Sequence, residues 1–136
     1  MCIRDSKKTL KKLPKSHQGL VKGYKFVFQP GNGLKGDSEH VGLIDEEKKT
    51  ITVAAPWYYG REYTFLHEVA HLVWKYLVDK NLRHKWGETV KNTKDERQHQ
   101  GEEELFCMAY ANYYAKNKIV IHTHDAWEKF IKKLPK

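Results

Sequence analysis

His67-Glu68-Val69-Ala70-His71 is the stretch whose residue types and spacing prescribe a chemistry. At about 100° per residue on a helix, His67 and His71 point the same way, one turn apart, so both imidazoles can reach one ion. Glu68 lies beside that direction, placed to take a proton from water rather than to act as a ligand. Zinc lowers the pKa of water toward neutrality and the carboxylate completes its activation. The flanks Phe65-Leu66 and Leu72-Val73 are apolar, which puts the string on a packed helix. A His-Glu-His cluster there without a cation would be costly to desolvate. With eight histidines in the chain, a chance match has a frequency of roughly a few per cent. The metal reading is therefore preferred to a pair of ordinary surface histidines.

Catalytic zinc needs a third protein ligand and an open position. The H-E-x-x-H-x-x-G-x-x-H solution fails, because Trp74 stands at the glycine position and Leu77 at the histidine position. His84, Glu88, Asp95, His99, Glu102, Glu103 and Glu104 remain. A ligand on a second packed helix is held more firmly than one in a loop, which favours Glu102, Glu103 or Glu104 at the head of a helix expected from Glu102 to Lys116. The plain alternative for this acidic triplet is a first turn that complements the helix dipole.

The segment Glu104-Leu105-Phe106-Cys107-Met108-Ala109-Tyr110-Ala111 resembles the E-x-x-A-x-x-F-A helix of gluzincin metallopeptidases. The stretch from Gly42 through Thr50-Ile51-Thr52-Val53 to His67 is similar to the ImmA/IrrE family of small peptidases. The second helix and the tail to Trp127 and Phe130 also resemble the catalytic domain of anthrax lethal factor. The likeness runs over residues 41 to 131, with the two helix motifs its specific part. It implies one zinc ion per chain held by His67, His71 and Glu104, with Glu68 as catalytic base. It further implies an edge strand before the active helix that pairs with an extended substrate, placing Thr52, Val53 and Ala54 at the substrate. Cys107 and Tyr110 depart from the alanine and phenylalanine of the pattern. The transition-state tyrosine of the lethal factor type falls near Arg97, where no tyrosine stands. His99 is the nearest replacement by position, with Tyr63, Tyr110, His122 and His124 as further candidates.

The elements that position these residues come as strands and then helices, an α+β order. The resemblance implies a small zincin-like fold with a short antiparallel sheet and edge strand, an active helix and a second ligand-bearing helix. Tyr24 to Phe28 is aromatic and β-branched and reads as a strand, closed by the turn-rich residues Pro30 to Gly33. Val41 to Ile44 and Thr50 to Val53 flank a polar turn of hairpin length. Pro56 stops pairing and Trp57 to Arg61 form an aromatic loop. Phe65, Leu66, Val69, Leu72, Val73 and Tyr76 give helical spacing from Glu62 to Asp79. Lys80 to Gly101 reads as a long polar connection, a lid or a mobile link. A short apolar run at Ile119 to Ile121 precedes a last helix from Asp125 to Leu134, with Trp127, Phe130, Ile131 and Leu134 on one face.

The length of 136 residues fits one domain. No run approaches the roughly 18 apolar residues of a membrane span. With neither that nor a signal peptide, the expectation is a soluble, cytoplasmic protein acting on protein or peptide substrates. The two cysteines, Cys2 and Cys107, do not form a disulfide framework, and Cys107 reads as a small buried hydrophobe. Residues 1–6, MCIRDS, match the translation of a transposon-adapter sequence and are expected to be non-native. A genomic reading frame that starts at Met1 would sink that idea. Residues 7–22 read as a basic leader and 23–136 as the single metallopeptidase domain. Of the formal net charge of +8, seven charges come from lysines between 7 and 25, a span without an acid. Such a run can bind nucleic acid, but a solvated leader is the favoured reading. Two alternatives to the peptidase stand: a DNA-associated regulatory protein of the ImmA/IrrE kind that cleaves a repressor, and a non-catalytic metal-binding interaction module.

Overall fold

A computed structural model describes residues 8–28, 42–54, 61–115 and 123–135. The adapter-like residues 1–6, the turn at 30–33, the aromatic loop at 57–60, the run at 119–121 and His122 lie outside the described residues, as do Lys7, Val41, Pro56 and Lys116. The class is α+β. After a helical turn at residues 8–11 come α1 (Lys15–Leu20), β1 (Lys25–Phe28), β2 (Gly42–Asp45) and β3 (Thr50–Val53). They are followed by α2 (Arg61–Tyr76), α3 (Lys80–Thr93), a 3-10 turn (Glu96–Gln100), α4 (Glu102–Tyr114) and α5 (Asp125–Lys132). Among the described residues no helix is long and apolar enough to cross a membrane.

The β2–β3 hairpin forms as the spacing predicts. Asp45 Oδ1 accepts from the Lys48 amide at 3.1 Å, and Lys49 takes a left-handed φ of 49° to close the turn. The sheet itself corrects two expectations. Its order is β1-β3-β2, with β1 parallel to β3 and β2 antiparallel to it. The sheet is therefore mixed, and β3 is its middle strand rather than an edge. The physical reason lies in β1. Phe26 and Phe28 pair beside Ile51 and Val53 and press on Phe65 of α2, at ring separations of 4.9 and 6.5 Å. Ile51 and Val53 are fully buried in consequence.

Residues 80–101 are the third correction: they are α3 and a 3-10 turn rather than an irregular polar connection. Asp79 caps α3 by accepting from the Leu82 amide at 2.9 Å, and Lys94 ends it in the left-handed region. The inward face is narrow, carried by Leu82, Trp86 and Val90 at four-residue steps. Trp86 is fully buried among Phe106, Trp127 and Phe130. Its indole N–H donates to the Glu102 carbonyl at 2.8 Å, which fixes the first turn of α4 against α3.

The solvated leader is the fourth. Its described lysines are exposed, but Thr9, Leu13, His17 and Val21, again four apart, are buried. His17 faces Tyr110 Oη at 2.8 Å and the Pro135 carbonyl at 2.7 Å. A carbonyl only accepts, so Nε2 carries the proton and the tyrosine hydroxyl donates to Nδ1. One imidazole thus ties the N-terminal segment to α4 and to the C-terminal end. α4 runs through the middle of the helical layer, with every residue from Leu105 to Asn112 buried, as a helix apolar on all sides must be.

Candidate metal centre

His67 and His71 lie one turn apart on α2, their rings 5.2 Å from each other. The first turn of α4 crosses in front of them. Glu104 Oε2 is 3.1 Å from His67 Nε2, and Glu104 Oε1 is 3.4 Å from His71 Nε2. Glu103 takes the other side of the second ring: His71 Nδ1–H donates to Glu103 Oε2 at 2.6 Å. With a proton on Nδ1, His71 presents Nε2 to a Glu104 carboxylate oxygen, an arrangement that a cation between them would stabilise. Around a tetrahedral ion with bonds of about 2.0–2.1 Å, ligand atoms stand about 3.3 Å apart. The separations of 3.1 and 3.4 Å fit that spacing. The donor set of two imidazoles and a carboxylate suits zinc. The side chains of Glu104 and His71 remain 45% and 25% exposed, so solvent reaches the site.

The three glutamates separate by register. Glu104 faces both Nε2 atoms. Glu103 sits on Nδ1, where a carboxylate fixes the tautomer and aim of a ligating histidine. Glu102 turns away: a Cβ on Gly87 of α3 would stand 2.7 Å from Glu102 Oε1. Glu68 lies against β2, where a Cβ at Gly42 would fall 2.5 Å from its Oε1 and 2.8 Å from its Cγ. Only glycine lets the strand approach that close. Lys75 and Tyr76, one and two residues beyond Trp74 on α2, donate to Glu46 in the hairpin turn at 2.6 Å each and hold this approach.

Cys107 is a donor whose place in the sequence pattern points only to packing. Its Sγ and one ring nitrogen from each histidine lie within 4.8 Å of one another. That bound is looser than the Glu104 contacts. Burial first, then the charges of Glu104, Glu103 and Glu68, push the Cys107 thiol well up, so it is a neutral thiol unless a cation draws off its proton. Glu104 and Cys107 are the two candidates for a third donor.

Other candidates lie elsewhere. His99 is exposed on the 3-10 turn, and its Nδ1 is 2.9 Å from the Glu96 carbonyl. No hydrogen bond or ion pair joins it to His67, His71 or Glu104 among the described residues. Tyr110 is spent on His17. Tyr63 is buried with its ring 6.1 Å from that of His67. His124 faces Asp95 Oδ2 at 2.7 Å. Asp95 also accepts twice from the Arg97 guanidinium at 2.9 and 2.8 Å. The Arg97 hydrogen bonds hold its carboxyl well below the usual range, so it serves this clamp, not the metal site. His84 and Glu88 pair loosely at 3.8 Å on the outer face of α3. Of the expected substrate strand, Thr52 is half-buried, and Val53 and Ala54 are fully buried beneath neighbours. The sheet edge beside Glu68 is β2.

A cavity of about 310 Å³ opens next to His71, lined by Ile44, Glu46, Arg83 and Glu103 among others. No protein-family model, no curated protein and no solved structure matches this chain.

Proposed function

We propose that this protein is a zinc-dependent peptidase of the gluzincin type, similar to the ImmA/IrrE family, that hydrolyses peptide bonds in protein substrates. The observation that carries the reading is the carboxylate of Glu104 facing Nε2 of both His67 and His71. These three residues would hold the ion. When bound, zinc supplies a Lewis acid that polarises the scissile carbonyl and makes water acidic near neutral pH.

The chain's own residues do the rest. Glu103 keeps the His71 proton on Nδ1, leaving Nε2 free to donate its pair. Glu68 takes a proton from the attacking water and returns it to the leaving amine. Gly42 leaves the space in which its carboxylate lies. An extended substrate pairs along β2, the sheet edge beside Glu68, and the cavity beside His71 receives one of its side chains.

Metal analysis after native purification, with turnover on a mixed peptide library, tests this. The expected result is one zinc and cleavage for the wild type, retained zinc without cleavage for Glu68→Ala, and lost zinc for Glu104→Ala. A wild type that carries zinc but cleaves nothing favours the non-catalytic metal-binding module. A wild type that binds no metal ends the proposal.

A further inference from the structure

The far end of α4 carries a second concave site with a different chemistry. A cavity of about 480 Å³ there is lined by Lys12, Lys15, Lys132, Tyr113 and Tyr114, with Pro14 at its wall. No acidic side chain lines it among the described residues, whereas the cavity beside His71 mixes both signs. Glu62 reaches Lys12 from outside the lining, at 3.3 Å. The basic residues are displayed rather than trailing: Thr9, Leu13, His17 and Val21 bury the opposite face of their segment. His17 fastens that segment to Tyr110 and Pro135, and Lys12 and Lys15 line the cavity with Lys132 of α5. Lys8, Lys11, Lys22 and Lys25 are also exposed along the same segment. Tyr113 and Tyr114 meet edge to face at 4.9 Å. Burial pushes the Tyr114 phenol up to about 12, so it stays neutral beside an anion.

We propose that this lysine and tyrosine cleft binds single-stranded nucleic acid, with the lysines on phosphates and a tyrosine ring stacked on a base. Acid-free lysines supply the backbone contacts that dominate such affinity, and aromatic rings supply sequence-tolerant stacking. Lysines continuing past the cleft fit a chain of phosphates better than one nucleotide. A bilayer is disfavoured because the apolar face of the segment is already buried in the core, leaving no apolar side to insert.

Fluorescence anisotropy of a labelled oligothymidylate with the full chain tests the proposal. The wild type binds at low salt, and Lys15→Glu/Lys132→Glu weakens binding at least tenfold. The same pair flattens the log affinity against log salt by about 0.7 for each phosphate no longer neutralised. Tyr113→Leu weakens binding by about fivefold or more with an unchanged slope. Unaltered circular dichroism and melting confirm that these surface variants fold. The proposal is overturned by no wild-type binding at low salt, or by binding indifferent to both variants. Equal affinity for a duplex of the same length or for phosphatidylserine vesicles overturns it too, as does competition by free thymidine monophosphate as strong as by the oligomer. Glu68→Ala binds like the wild type, so the outcome is separate from that of the peptidase assay.

Discussion

At its N-terminal end α4 presents Glu102, Glu103 and Glu104; at its C-terminal end, roughly 18 Å away, Tyr113 and Tyr114 meet Lys12, Lys15 and Lys132. Both ends obey the same electrostatic rule, acids at the positive end of the helix dipole and cations near the negative one. That rule alone would make each a stabilising ornament. What separates them is convergence. At the acidic end donor atoms from two helices meet within 3.4 Å, Glu104 on two imidazoles and Glu103 on the outer nitrogen of one. At the basic end Lys12, Lys15 and Lys132 line a cleft of about 480 Å³ together with Tyr113 and Tyr114. Close convergence suits one small cation held rigidly; spaced charges around aromatic rings suit an extended anion. Charge sign names the partner's sign, and spacing names its size.

The contrast can be broken or sharpened by substitution. The largest effect is expected at Glu68: Glu68→Ala should lower kcat on peptides by about 10²–10⁴-fold with the metal retained, measured by turnover and metal analysis together. Next, Glu103→Ala should weaken zinc binding by about 10–100-fold without removing the site, read by competition with a chromophoric chelator. If Glu103→Ala abolishes binding and Glu104→Ala does not, the two glutamates exchange roles. Gly42→Ala drives a Cβ into the Glu68 carboxylate, so activity should fall severalfold while zinc content and oligothymidylate binding stay at wild-type levels.

The smallest effect is on stability. Burial lowers the pKa of His17 below its usual 6.5, so the unfolded chain takes up a proton there before the folded one does. The His17 contribution is fully present above about pH 6.5 and is lost as pH falls below it. Urea melts of the wild type and His17→Gln from pH 7.5 to 5 should show the wild-type advantage shrinking toward the acid side. A constant difference across that range would remove the buried, neutral imidazole from the account.

Legibility in the sequence followed the density of apolar residues. α2 and α4 stood out because both are crowded with them, and the hairpin because its turn is local. α3 was hidden because Leu82, Trp86 and Val90 carry its whole inward face among charged neighbours. The same four-step spacing at Thr9, Leu13, His17 and Val21 was masked by lysines and by Pro14. The place of β3 could not be read locally, since it depends on β1 arriving in parallel from more than twenty residues away. Among the glutamates, dipole logic treats 102, 103 and 104 alike. Their division follows from the register of α4 on α2, set in part by the Trp86 bond to the Glu102 carbonyl.

The most direct test is X-ray absorption at the zinc edge on protein purified with its native metal. Nitrogen and oxygen neighbours alone are expected at about 2.0–2.1 Å, with the scattering pattern of two imidazoles, and loss of the bound zinc in Glu104→Ala. A sulfur neighbour at about 2.3 Å would give the third position to Cys107 and contradict the assignment of Glu104. A protein that carries no zinc would contradict the centre as a whole.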